Sequence, residues 1–405
     1  MAEVAERIAE KENMAMKHTI KKRIRIEEIE EYLSPNIFVI EDVINKSGAT
    51  IISKGTELAT LAKYSSNLPK ALHQGGIETI AIVINEHIEI EALENIIKST
   101  DFGISKIDSE FARDTVDQIK DVYSRIASGE CEESNISNLV NQGKSLAKVI
   151  YQAPEIMFCL GHVRDKDEYT YVHSLNVALI GGFLANKLFP DDKEMVESLS
   201  VGGILHDLGK ARIPISILNK PGALTEDEFE IMKKHTIYGE ELAKEFGVSD
   251  PRVLSIIRNH HERFNGNGYP DALSSDKIST EAKIAAVTDV FDALTAKRVY
   301  KEPMDCRDAV VMMIEKMSVN FDPIILRTLI VSIGLYPPGT IVELSDGSVG
   351  VVVGTNGKDL IRPHVIPIND RDIKKAKDIK IVDISQNSDC LFIRKVLNDL
   401  GKIAF

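Results

Sequence analysis

The spacing of apolar residues changes character several times along the chain. From Arg23 to about Ile84, short β-branched runs (NIFVIEDVI, ATIIS, IETIAIVI) alternate with the turn signals NKSG and SKGT. That pattern predicts a small strand-rich domain. The stretch before it, about 1–22, is charged and predicts a frayed helix or a disordered arm. Residues 86–150 are polar with helical spacing at Ile88, Leu93, Ile96 and Ile97, which predicts a helical connector. From about 151 to 335 the segments are long and amphipathic, and LTEDEFEIMKKH opens on a capping-box pattern, Thr225 with Glu228 three residues on. Strands return from Tyr336, where GTIVELSDGSVGVVVGTNG is two β-rich runs joined by Asp346-Gly347, a hairpin signal. The expected fold class is multidomain. An all-α domain (151–335) is flanked by a strand-rich N-terminal domain (1–85), the connector (86–150) and a small β-rich C-terminal appendage (336–405).

Composition narrows the function. A chain of 405 residues suits two or three domains, and 43% hydrophobic with 27% charged residues is ordinary for a globular protein. The net charge of −13 argues against binding nucleic-acid polymers, which are gripped by clustered Lys and Arg. No apolar stretch approaches the ~20 residues of a membrane span, and the charged start has no signal-peptide core. A cytoplasmic protein is expected. Cys131, Cys159, Cys306 and Cys390 form no CxxC pair, so they predict reduced thiols rather than a disulfide framework or a thiolate zinc site.

The candidate chemistry lies in the helical block. Five of the ten histidines fall between positions 173 and 261: His173, His206, His235, His260 and His261. GGILHDLGK adds Asp207 beside His206, with Lys210 three positions on and on the same helical face. Asp289 stands in the otherwise apolar run AKIAAVTDVFDAL, where an unpaired carboxylate would be costly to bury. Alone, each has a bland reading: a hydrogen-bonded core histidine, a chance His-Asp dipeptide, an aspartate paired with Arg298. Together they are a nitrogen and oxygen donor set suited to first-row divalent metals, too numerous for one tetrahedral zinc. Two metal ions sharing a bridging carboxylate are the economical assignment, and such pairs serve phosphoester hydrolysis.

These motifs in this order, His173, HDLGK at 206–210, His235, HHE at 260–262, NGNGYP at 265–270 and DVFDALTAKRVY at 289–300, resemble the HD-GYP family. That family is a branch of the HD-domain metal-dependent phosphohydrolases, and the likeness covers about 165–333. It implies an HD-type catalytic domain hydrolysing cyclic di-GMP, a bacterial second messenger, to pGpG or GMP by a hydroxide activated by two metals. Iron or manganese is expected, with zinc as a third option. By resemblance, His173, His206, Asp207 and Asp289 hold one metal, Asp207, His235, His260 and His261 hold the other, and Asp207 bridges. Lys210 would stabilise developing charge or protonate the leaving oxygen. Arg298 and Lys301 would hold phosphate oxygens, and Tyr269-Pro270 would form a lip beside the substrate. A subset of the family has Glu four residues before the first histidine and binds a third metal. Tyr169 occupies that position, which favours two metals over three. Two alternatives stand beside this reading. A non-enzymatic dinucleotide receptor or partner-binding protein should have lost a ligand or Lys210, and another HD-type nucleotide phosphohydrolase has no reason to keep Gly-Tyr-Pro. The N-terminal domain carries no phosphoacceptor or haem signature, so a regulatory or dimerising role is expected for it, with a homodimer and signalling-protein partners in consequence.

Overall fold

The structure, a computed structural model, describes residues 15–64, 67–89, 109–152, 169–296, 304–337, 340–357, 359–368, 382–384 and 391–397. The chain divides into two compact units, Met1–Thr100 with Ile341–Val351 and Val365–Asn398, and Asp101–Thr340 with Val352–His364 and Asp399–Phe405.

In the first unit, β1 (Ala15–Arg25) runs antiparallel to β5 (Thr79–Glu89), and β2 (Ile37–Val39) pairs with the other edge of β5. A small core forms from Ile24, Ile26, Ile29, Val39, Leu58, Ile80 and Ile82, closed by Leu72 from helix α1 (Leu68–Gln74). β3 (Val43–Ile44) and β4 (Thr50–Ile52) make a separate two-stranded ribbon. Two expectations are corrected here. Residues 15–22 belong to a strand rather than a frayed helix or disordered arm, because β5 supplies their backbone partners from Ala15↔Glu89 to Lys22↔Ile82. Ile88, assigned by its spacing to the helical connector, lies in β5, while Leu93, Ile96 and Ile97 fall outside the described residues.

Toward the C-terminus β6 (Ile341–Leu344), β7 (Val349–Gly354), β8 (His364–Ile368), β9 (Val382–Asp383) and β10 (Ile393–Val396) form a sheet ordered β10-β6-β7-β8-β9. The Asp-Gly signal makes the β6–β7 hairpin: Gly347 takes φ 85°, and its N–H donates to the Leu344 carbonyl at 2.9 Å.

The second unit is helical: α2 (Ser109–Ser128), α3 (Glu133–Gln152), α4 (Tyr169–Leu188), α5 (Lys193–Leu205), α6 (Ile215–Leu218), α7 (Glu226–Lys233), α8 (His235–Glu245), α9 (Pro251–Asn259), α10 (Thr280–Thr295), α11 (Cys306–Met317) and α12 (Pro323–Ile333). One core takes Ile119, Leu146, Leu179, Leu199, Ile256, Phe291, Met313 and Leu329, so α2 and α3 share it with the later helices. α4 is buried without interruption from Val172 to Ala185, and α5 and α10 are nearly as enclosed. Helices apolar on every side pack in the middle of a helical domain, so polar residues within them face other helices rather than water. His173 and Asp289 are such residues. The capping box is present, with the Thr225 hydroxyl accepting from the Glu228 N–H and the Glu228 carboxylate accepting from the Thr225 N–H. Among the described residues no helix is long and apolar enough to cross a membrane.

Candidate metal centre

Five separate elements deliver the candidate ligands. His173 comes from the second turn of α4, His206 and Asp207 from the end of α5, and His235 from the start of α8. His260 caps α9 and is followed by His261, and Asp289 lies mid-way along α10. The α5 end and the α8 start meet closely because Gly209 has no side chain: a Cβ there would lie 1.9 Å from the His235 carbonyl oxygen.

The convergence is tight. His173, His206 and Asp289 form one group able to hold a metal ion, His235, His260 and His261 form a second, and His206, Asp207 and His260 form a third that joins them. Asp207 has a carboxylate oxygen for each side. Its Oδ2 lies 3.3 Å from His206 Nε2 and 4.0 Å from His173 Nε2, and its Oδ1 lies 3.4 Å from His235 Nε2 and 3.9 Å from His260 Nε2.

Backbone geometry fixes which ring nitrogens point inward. The Nδ1–H of His206 donates to the Gly203 carbonyl at 2.7 Å, that of His235 to Met232 at 2.7 Å and that of His260 to Ile257 at 3.0 Å. A carbonyl only accepts, so each neutral ring turns an Nε2 lone pair into the centre. His235 and His260 bring Nε2 atoms within 3.3 Å of one another, and His206 Nε2 and Asp207 Oδ1 are buried with no hydrogen-bond partner. Converging lone pairs and orphaned buried acceptors are costly unless a cation sits among them. The donor set therefore fits a divalent metal.

The electrostatics agree. Burial holds His235 neutral, down to about 4, with help from the nearby Lys210 charge and against the pull of Asp207. Burial likewise pushes His260 and His261 well down. Burial also acts against charge on His173, but the hydrogen bonds it donates to Asp289 and Asp292 outweigh it and raise this histidine to about 9. At Asp207 the interactions with His206 and with the Lys210 ammonium outweigh burial, and at Asp289 the bond to His173 does, so both stay ionised far below the usual carboxylate range.

A family match assigns residues 168–325 to the HD domain and residues 341–400 to the KOW domain associated with it. The chain is 35% identical over 235 residues to a cyclic di-GMP phosphodiesterase of Pseudomonas aeruginosa, covering 58% of this chain and 55% of that one. It is 41% identical over 145 residues to a cyclic di-GMP phosphodiesterase response regulator of Xanthomonas campestris, covering 36% and 38%. To a 3′3′-cGAMP-specific phosphodiesterase of Vibrio cholerae it is 36% identical over 175 residues, covering 42% and 31%. Residues 168–325 are an HD domain. The chain spans at most about half the length of these relatives.

Within the HD domain the remaining sequence candidates are placed unequally. Lys210 Nζ donates to Asp207 Oδ2 at 2.5 Å and remains partly exposed, at the mouth of the cluster. The Tyr269 ring stacks on His261, centroids 4.7 Å apart at 29°, and its peptide to Pro270 is cis. Arg298 and Lys301 lie outside the described residues. So does the side chain of Tyr169, although its backbone begins α4.

Two carboxylates that sequence reasoning passed over do structural work here. Asp292 is buried and accepts from His173 Nδ1 at 2.6 Å and from Asn176 Nδ2 at 2.8 Å, fixing the ring that faces Asp289. Glu262, also buried, accepts from the N–H of Asp271 at 2.7 Å and of Leu273 at 2.9 Å, which ties the Gly-Tyr-Pro loop to the histidine pair. Burial raises the pKa of Glu262 against those two bonds. Gly268 makes room for this return, since a Cβ there would lie 2.4 Å from the Glu262 Cα. The spacing of Asp292 one helical turn after Asp289 was the available signal for the first. The HHE adjacency was the signal for the second.

Proposed function

We propose that the chain is a metal-dependent phosphodiesterase hydrolysing cyclic di-GMP to pGpG or GMP. The observation that carries this reading is Asp207, whose two oxygens face two histidine groups. His173, His206, Asp207 and Asp289 would hold one ion, and Asp207, His235, His260 and His261 the other, with iron or manganese preferred and zinc a third option. When bound, such a pair supplies an acidified water and neutralises charge on the phosphate.

The chain's own groups do the rest. Carbonyl-anchored imidazoles keep their lone pairs aimed inward without reorganisation. Lys210, held by Asp207, places an ammonium where charge develops on the phosphate and where a leaving 3′ oxygen needs a proton. Arg298 and Lys301, which follow α10 in sequence, would grip the other phosphate oxygens. Tyr269, stacked on His261, would border the substrate. A cytoplasmic location, a homodimer and signalling partners for the N-terminal unit complete the proposal.

The test is anaerobic purification, metal counting and product analysis with cyclic di-GMP and with 3′3′-cGAMP. Turnover of the first with about two metals per chain is expected. Asp207→Ala should abolish it and lower the metal content. A metal-loaded chain inert toward both dinucleotides would reject the reading.

A further inference from the structure

Helix α7 is unusual in this domain because none of its residues is buried. A short helix is ordinarily held by an apolar stripe packed on its neighbours, whereas α7 is held at its ends. The capping box and the ion pair of Lys220 with Glu228, 2.6 Å, fix its start. The bond from His235 to the Met232 carbonyl and that from the Thr236 hydroxyl to the Lys233 carbonyl fix its finish. The helix is thus tied to a candidate metal ligand while its side chains stay accessible.

Its largest apolar side chain, Phe229, is 44% exposed. The ring meets Tyr269 edge to face with centroids 6.2 Å apart, and Tyr269 in turn stacks on His261 and lies 6.4 Å from His235. Lys233, one helical turn after Phe229, sets its ammonium 5.0 Å from the Phe229 centroid and 5.8 Å from that of Tyr269, while pairing with Glu230 at 2.6 Å. A wall of rings therefore runs from the metal cluster outward to an exposed aromatic with a cation beside it. Among the exposed large apolar side chains of the described residues, Phe229 is joined through Tyr269 to the histidine cluster.

We propose that Phe229, with Tyr269 and Lys233, is the platform on which a purine base of the substrate rests while its phosphodiester lies at the histidine cluster. The proposal rests on the phosphodiesterase reading and deepens it by naming a base-binding residue. An aromatic face stacks any nucleobase, and a neighbouring cation strengthens that contact through the ring electrons and the purine's acceptor atoms. Such a surface serves a dinucleotide and gives nothing to a phosphate that carries no base.

Two substitutions separate a stacking platform from a packing residue. Phe229→Leu keeps apolar bulk and removes the ring face, and Phe229→Trp enlarges that face. With the metal-loaded full chain and cyclic di-GMP, Phe229→Leu should raise KM about tenfold, the size expected for one lost base stack, with the loss in KM rather than kcat. Phe229→Trp should keep KM at or below that of the parent. Metal content should be equal in all three. A leucine variant with the parent's KM would overturn the platform. If the parent binds cyclic di-GMP without turning it over, only the hydrolase reading falls, and the platform is judged by the same comparison of calorimetric Kd values. If the metal-loaded parent neither binds nor hydrolyses it, both fall.

Discussion

The Nδ1–H of His173 on α4 donates to Oδ2 of Asp292 on α10 at 2.6 Å, joining residues 119 positions apart. The opposite ring nitrogen lies 3.1 Å from Asp289 Oδ1, so one imidazole spans two turns of the same helix. Its orientation depends on a residue outside the candidate ligand groups. Asp292→Ala should therefore weaken metal affinity roughly 10- to 100-fold, the usual loss when a ligand histidine is released from its outer partner. Metal titration of the stripped protein checks this, and an unchanged affinity would make Asp292 a packing residue.

The same histidine sets a pH dependence for the metal-free protein. His173 is raised to about 9, above the ordinary value of 6.5, so its contribution is complete below about pH 6.5 and is lost as pH rises through about 9. His235 is lowered to about 4, so the unfolded chain takes up its proton first and stability falls as pH drops from about 6.5 toward 4. The melting temperature of the chelator-treated protein should peak near pH 6.5 and decline on both sides. Metal uptake should release protons and tighten with pH up to about 9, because the His173 proton competes with the ion. Calorimetric scans from acid to alkaline buffer read the first effect, and titration in buffers of different ionisation enthalpy reads the second.

Glu262 is expected to matter through the loop it holds. Glu262→Ala would leave the N–H groups of Asp271 and Leu273 without their carboxylate, at a cost of roughly 1–3 kcal/mol for two partly buried hydrogen bonds. The bidentate pair of Arg258 with Asp271, 2.7 and 2.8 Å, would still hold the loop's far side. The predicted outcome is faster proteolysis within residues 263–275 and a lower kcat/KM, with the histidine groups still able to take up metal. Limited digestion, metal counting and kinetics together check it.

Removing the metals should soften the whole helical unit, since the ligands come from five elements and a cation bound only to the folded state stabilises it by mass action. At a hundredfold excess over Kd the gain is about 2.7 kcal/mol. For a unit of this size that corresponds to a fall of about 5–10 °C in Tm on chelation. Reloading with manganese should restore it, and a Tm indifferent to both treatments would contradict a shared site.

Legibility in the sequence followed the range of each interaction. The Thr225 capping box and the Asp346-Gly347 hairpin are local, written within a few consecutive residues, and could be read directly. The seven ligand candidates could be picked out because imidazoles and carboxylates are conspicuous inside apolar helical runs, even though their mutual distances could not. β1 could not be read, because its charged residues become a strand only through β5, more than fifty positions later. Asp292 was hidden for a similar reason. In DVFDAL it looks like one more polar residue of a helix, and only the crossing of α4 and α10 shows it facing His173. The arrangement of Phe229 with Lys233 was equally silent, since LTEDEFEIMKKH reads as an ordinary amphipathic helix until the Gly-Tyr-Pro loop folds back over it.

The first candidate ligand stands at position 173 and the last at 289, and no short segment between them holds a full set. An emerging polypeptide therefore cannot complete the group of His173, His206 and Asp289 until α10 has been synthesised and has docked against α4, although the group of His235, His260 and His261 precedes that helix. The cation pool met during synthesis and that met by the finished domain would then act on different groups, which makes the growth medium part of any test of the proposed centre.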